Sequence, residues 1–458
     1  MTDAQFLRLA LRLALCLVRQ RWRFILISCA VLAVNIPAQE INSTREQIVE
    51  QMKPYAGGHV AGVDVSTLTD KVMCGYQGWF AAPGDGSGSN WVHYGENQRL
   101  FAPGHCVFDL WPDVSELGAD EKFPTTFKHQ DGRTASVFSP VNPRTVLRHF
   151  QWMRDYGIDG VFLQRFGADL KSANGFNHNN VVAANVQAGA SQCGRTWAMM
   201  YDLSGLQAGE IQKFVADDWK LLVDRMKITS DPAYLHHDGK PVVAVWGIGF
   251  NDGRKYSLEE CEALIRFLKS DPKYGGNTVM VGVPAWWRTL DHDAMPDQQL
   301  LEIIRLADIV SPWNVGRYGN PAEAGSQAIN RIQPDIAWCR TNGNEYLPVI
   351  FPGFSWHNLM KTRGQDGAVN QIPRLKGNFL WTQAVADRRA GASMLYVAMF
   401  DEMNEGTAIF KCTDDPPVGE SPFMTMEGLP SDHYLWLAGQ IGRMLRNEIP
   451  ATAAMPQR

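Results

Sequence analysis

From about residue 70 the hydrophobic pattern alternates between two kinds of segment. Short unbroken apolar runs are followed by stretches whose apolar positions recur at helical spacing. The runs cover residues 72–80, 160–166, 196–202, 241–246, 278–283, 309–313, 347–351 and 393–400. Runs of this length without in–out alternation belong to parallel strands buried on both faces. The helical stretches follow at 145–156, 181–190, 211–226, 258–268, 298–307, 322–340, 379–390 and 432–446. Strands that alternate with helices predict parallel pairing through helical crossovers. Repeated eight times, the alternation predicts a closed (β/α)8 TIM barrel over an open sheet. Two stretches, 83–142 and 353–378, are rich in glycine, proline and polar residues. They are expected to be long β→α loops, and loops of that length inside a domain are usually functional.

The predicted organisation is a signal peptide over 1–38, a short lead-in with one helix over 39–70, and a single barrel domain over 71–450. Arg19, Arg21 and Arg23 precede an apolar run from Phe24 to Val34. That run has the length of a signal-peptide core and is short of the ~20 residues a bilayer needs. The protein is therefore expected to be secreted or periplasmic. An uncleaved N-terminal membrane anchor is the alternative, and would be the only membrane contact.

Of the eight cysteines, Cys16 and Cys29 fall in the leader, leaving six. An even number in an exported chain permits disulfides, and buried free thiols are the equal alternative. No CxxC spacing is present, so no structural metal is expected. The formal net charge is −5 with no basic cluster beyond the leader, which argues against nucleic acid as a partner. His236-His237-Asp238 precedes the fourth run and reads as a turn, not a ligand set. No cofactor is expected.

In a barrel, chemistry sits at the C-terminal ends of the strands. The residues at those ends are Tyr76 and Trp79, Gln164 and Arg165, Tyr201 and Asp202, Trp246, Trp287, Trp313, then Trp356 and His357, and finally Asp401. Flat rings stack on the C–H faces of sugars, and forked polar groups pair with hydroxyls. These twelve residues are the candidate substrate contacts, and an oligosaccharide or polysaccharide is the expected partner. Glu402 and Glu405, after the eighth run, are the candidate catalytic pair. Glycoside hydrolysis needs two carboxylates flanking one bond. Three positions apart, the two glutamates converge only if the chain turns there, because an extended strand would send them to opposite faces. Gly406 supplies the conformational freedom for such a turn. Two close carboxylates also push their pKa values apart, creating an acid and a base.

Glu402-Met403-Asn404-Glu405-Gly406-Thr407 resembles the E-x-x-E-G-T signature of glycoside hydrolase family 99, the endo-α-mannosidases and endo-α-mannanases. Phe354-Ser355-Trp356-His357-Asn358 and Gly75-Tyr76-Gln77-Gly78-Trp79-Phe80 are similar to the seventh- and first-strand elements of the 71/99-like group. The resemblance spans about residues 72–447. It implies a retaining hydrolase of α-linked, α-mannan-like glycans. Glu402 would deprotonate the sugar 2-hydroxyl, and Glu405 would act as general acid/base. Family 99 has Trp-His between its two glutamates, where this chain has Met403-Asn404. A xylosidase- or arabinosidase-type exo-enzyme, or a non-catalytic carbohydrate-binding barrel, are the alternative readings.

Overall fold

Unbroken apolar strands need cover on both faces, and the chain supplies it by closing a ring of parallel strands inside a ring of helices. The computed structural model describes residues 43–458, so the predicted leader lies outside the described residues. The first six barrel strands are Val72–Tyr76, Gly160–Phe166, Thr196–Asp202, Lys240–Trp246, Thr278–Val283 and Ile309–Pro312. Each pairs in parallel with the next. The eighth strand, Leu395–Val397, pairs in parallel with the first.

The seventh strand is split into Glu345–Tyr346 and Val349–Ile350. Its first half pairs with the sixth strand and its second half with the eighth. Pro348 lies at the break, where it has no N–H to give the ladder. The Leu347 N–H still donates to Val310 O at 2.9 Å, and the Tyr396 N–H donates to Pro348 O at 3.0 Å. The ring is thereby closed, and the predicted (β/α)8 barrel forms.

The helices start and stop where local chemistry says they should. Asn142 caps Pro143–Tyr156 by accepting from the Arg144 N–H, and Ser257 with Glu260 forms a capping box on Leu258–Ser270. The helix predicted over 181–190 runs longer, as Ala173–Cys193. At the opposite end of the barrel His236–His237, expected to be part of a turn, is instead a short strand antiparallel to the start of the fourth, and the turn proper follows it. His237 pairs with Lys240 across the two-residue loop Asp238-Gly239. Both loop residues have positive φ, 52° and 73°, the signature of a type I′ hairpin.

The long 83–142 segment is not a bare loop. It carries a hairpin, Phe123–Lys128 with Thr134–Val137. Bridges Lys128↔Val418, Pro112↔Cys412 and Leu110↔Met424 bind it to the segment after the eighth strand. Phe101, Phe108, Trp111, Phe127 and Phe423 fill the space between with ring contacts of 4.8–5.8 Å. The segment thus owns a small aromatic core over the barrel rim.

Strand alternation then decides which side chains enter the barrel. Phe162 packs on Tyr396 inside, so Gln164 shares the inward face while Arg165 points out. The Arg165 guanidinium donates to both Asp218 oxygens (2.7 and 2.6 Å) and to Asn180 Oδ1 (2.7 Å), and the Tyr201 hydroxyl donates to Asp218 at 2.7 Å. All of this is buried between strand and helix. A buried pair is costly to break from one side. Asp218→Ala is expected to destabilise the fold by about 3–5 kcal/mol in denaturant unfolding. The protein that remains folded should bind substrate with unchanged KM, whereas a substrate-binding role for Arg165 would raise it.

Candidate active site

The eighth strand leads into three carboxylates within five residues, and the structure gives each a different setting. Asp401 is fully buried, and its oxygens accept the backbone N–H groups of Gln77 (2.7 Å) and Gly78 (2.9 Å). Its carboxylate is spent on fastening the eighth strand to the end of the first, so the expected contact with substrate hydroxyls is replaced by a structural tie. Burial still raises it to about 6.

Directly after Asp401 the chain turns, as the spacing of the glutamates demands. The N–H groups of Thr407 and Ala408 donate back to Glu402 O at 3.1 and 2.8 Å. Glu402 Oε1 accepts the N–H of Asn404 (2.6 Å) and of Glu405 (3.2 Å), and Oε2 accepts Gln77 Nε2 (3.0 Å). Gly406 closes the turn at φ 62°, where a Cβ would lie 2.9 Å from Ser355 Cβ and 3.0 Å from Ser355 N and O. Arg374, buried, donates to Gly406 O (2.8 Å) and Ala408 O (2.6 Å). Asn404 Nδ2 donates to His93 O (2.9 Å) and Val107 O (2.8 Å), tying the turn to the long loop. Met403 is buried beneath it. The Met-Asn pair that departs from the family signature therefore serves as floor and tether of the turn.

Burial and the neighbouring Glu405 push Glu402 well above the usual carboxylate range. Burial likewise raises Glu405, to about 7, against the opposing pull of Arg363. Two such groups on one turn hold a shared proton near neutrality. Glu402 receives three N–H donors, which stabilise its charged form and leave little to accept a proton from it. Glu405, partly exposed at the mouth, has no such set of donors among the described residues.

Around this turn stand Gln77, Trp79 and Asn404. Trp79 stacks on His93 at 3.7 Å, so one face of its ring is already covered by protein. Its other neighbour, Phe166, is 5.1 Å away and shares the inward parity of Gln164. Asp202 is inward too, like Met200, which meets Tyr396; burial raises Asp202 to about 6. Trp246 and Trp313 meet edge to face at 5.6 Å. Trp356 and His357 line a groove of about 710 Å³ with Lys361, Asp366 and Gln371. Gln77 Oε1, Trp79 Nε1, Trp246 Nε1 and Asn404 Oδ1 find no partner among the described residues.

Four sequence candidates go elsewhere. Tyr76 points outward, its hydroxyl 2.9 Å from His149 Nδ1 under the first barrel helix. Arg165 and Tyr201 point outward to Asp218. Trp287 is fully buried against Trp338 at 4.8 Å. Two residues that sequence reasoning missed hold the site together. One is Arg374. The other is Asp109, from the long loop, which accepts the Ser355 hydroxyl and the N–H groups of His357 (2.7 Å) and Asn358 (2.9 Å). The Asp109 N–H also donates to Met403 O at 3.2 Å. No local signature marks either one, since both act across loops distant in sequence.

Among the described residues, one group has metal-ligand geometry: His237, Asp238 and Glu345, with ligand atoms within 4.8 Å of one another. It sits at the far end of the barrel. The Leu68 N–H donates to His237 Nδ1 at 3.0 Å, which places the ring proton on Nε2, facing Glu345 at 3.0 Å. Both ring nitrogens are thus engaged in hydrogen bonds. The six cysteines of the described chain are all buried and unpaired, so free thiols, not disulfides, are what the fold holds.

No protein-family model matches the sequence, and no curated protein matches it either. Solved structures do. The GH99 endo-α-mannosidase from Bacteroides thetaiotaomicron, in complex with BIS-TRIS-propane, superposes with a TM-score of 0.58 at 14% identity. The match covers 83% of this chain and 99% of that one. A second structure of that enzyme gives a TM-score of 0.56 at 16% identity, with the same coverage of 83% and 99%. The likeness is one of fold, and it extends over nearly the whole length of the neighbour.

The turn itself is testable. Gly406→Ala combines a left-handed backbone with a close approach to Ser355, and is expected to cost about 1–3 kcal/mol. Thermal unfolding measures the cost, and a crystal structure of the variant should show Glu405 displaced.

Proposed function

We propose that the protein is a retaining glycoside hydrolase acting on α-linked, α-mannan-like glycans, with Glu402 and Glu405 as its working pair. The observation that carries this reading is the turn that brings both glutamates to the C-terminal end of the eighth strand, Glu402 buried and Glu405 partly exposed, both raised, with unequal donor sets. The fold shared with an endo-α-mannosidase supports it. So do the rings of Trp79, Trp246, Trp313 and Trp356 about the mouth.

In this mechanism Glu405 gives its proton to the glycosidic oxygen as the bond from C1 breaks. Glu402 takes the proton of the 2-hydroxyl, whose oxygen closes on C1 in an epoxide-like intermediate. Water then opens that ring at C1, losing a proton to Glu405, while Glu402 returns its proton to O2. Two displacements at C1 retain the configuration. Gln77 and the Asn404 and Glu405 N–H groups hold the Glu402 carboxylate in place. Export through the 1–38 leader is part of the proposal, and N-terminal sequencing of protein recovered from the medium or periplasm tests it.

The test is a panel of α-linked oligosaccharides, including mannan, xylan and arabinan fragments, followed by NMR of the released anomer. Glu405→Ala is expected to lower turnover by about 10²–10⁴-fold while leaving binding intact. Wild-type turnover in that variant would sink the assignment. The pH profile carries a second expectation. Glu405 must be protonated to act as acid, so turnover falls as pH rises through about 7. Glu402 must be ionised, so turnover also falls toward acid, on a limb displaced above the ordinary glutamate value of 4.5. Glu405→Gln should abolish the alkaline limb.

A further inference from the structure

A second cavity lies away from the glutamate turn, between the loop after the fifth strand and the helical segment 321–342. It holds about 310 Å³, and its lining includes Trp286, Arg288, Thr289, Gln327, Asn330 and Arg331. Arg331 is only 6% exposed, yet its Nε, Nη1 and Nη2 find no acceptor among the described residues. A buried guanidinium without acceptors is strongly unfavourable unless something in the cavity satisfies it.

The neighbouring carboxylates do not do so. Asp335 is paired with Arg288 at 2.7 Å, and Asp291, exposed at the rim, with His292 at 3.1 Å. Asp387, the remaining carboxylate that feels Arg331, is fully buried and raised by burial, and its Oδ2 also lacks a partner, so no hydrogen bond joins it to the guanidinium. Arg331 is the cation left without a hydrogen-bonded acceptor. Its position is fixed by the Trp286 ring, whose centroid lies 4.9 Å from the guanidinium carbon. A stacked guanidinium keeps its N–H edge free, and that edge matches a carboxylate as a planar fork. Asn330 and Gln327 amides and the Thr289 hydroxyl add the donors and acceptors that sugar hydroxyls use. The volume is ample for one monosaccharide.

We propose that this cavity is a binding site for an acidic sugar, a uronate whose carboxylate sits on Arg331 and whose hydroxyls face Gln327, Asn330 and Thr289. The site is built from elements that contribute nothing to the Glu402–Glu405 turn, so it does not depend on the hydrolytic reading.

Calorimetric titration of the full protein with D-glucuronate tests it, with D-glucose as the neutral control and sulfate as the bare oxyanion. Saturable glucuronate binding is expected, with glucose at least tenfold weaker and sulfate weaker than glucuronate. Arg331→Gln and Asn330→Asp should each weaken glucuronate tenfold or more. Asn330→Asp is exposed and places a negative charge at the rim without disturbing the core, so it remains informative if Arg331→Gln fails to fold. Glu405→Ala should bind glucuronate as the wild type does. Absence of saturable binding overturns the proposal, as does binding kept in Asn330→Asp and lost in Glu405→Ala. Sulfate binding equal to glucuronate overturns the sugar assignment.

Discussion

The contact on which the rest depends is the grip of Asp401 on the end of the first strand. A parallel barrel must be sealed where its last strand meets its first, and at the catalytic rim the backbone ladder has already ended. One buried carboxylate replaces it by taking two N–H groups, from Gln77 and Gly78. The same contact fixes the direction in which the chain leaves the eighth strand, and so where the glutamate turn begins. Gln77 then reaches from the first strand to Glu402. Closure of the fold and placement of the chemistry share one set of hydrogen bonds. Asp401 is costly to bury and its ionised form is held chiefly by these donors, so the seal and the site would fail together.

Around that seal the protein stacks supports from distant parts of the sequence. Arg374 holds the carbonyls of the turn from one side. Asp109 and Asn404 hold it to the long loop from the other. The loop can bear this because it has its own aromatic core and is bridged to the segment after the eighth strand. Two close carboxylates in a turn resist being charged together, and these supports are what keep them side by side.

The barrel was legible because burial on both faces leaves an unmistakable mark, an apolar run bounded by turn residues. The turn at Glu402–Glu405 was legible from spacing alone. What misled was parity. Tyr76, Arg165 and Tyr201 stand beside inward residues, and one step along a strand sends a side chain from the mouth to the helices. An apolar run without alternation gives no cue to that parity, so polar ends such as Gln164-Arg165 and Tyr201-Asp202 read as pairs. Trp287 was lost to a turn that tucks it under Trp338. Asp109 and Arg374 were invisible for another reason: each acts across more than thirty residues on a backbone whose path only the fold defines.

The cysteines carry a consequence for how this chain survives. The six described cysteines are sealed in the interior without disulfide partners, and burial raises their thiols, so none of these six is presented to an oxidant in the folded chain. Once opened in an oxidising compartment, the same chain exposes six competent thiols with no native pairing to guide them. Random cross-links would then bar the way back. Durability therefore rests on how seldom the barrel opens, a matter of rate more than of equilibrium.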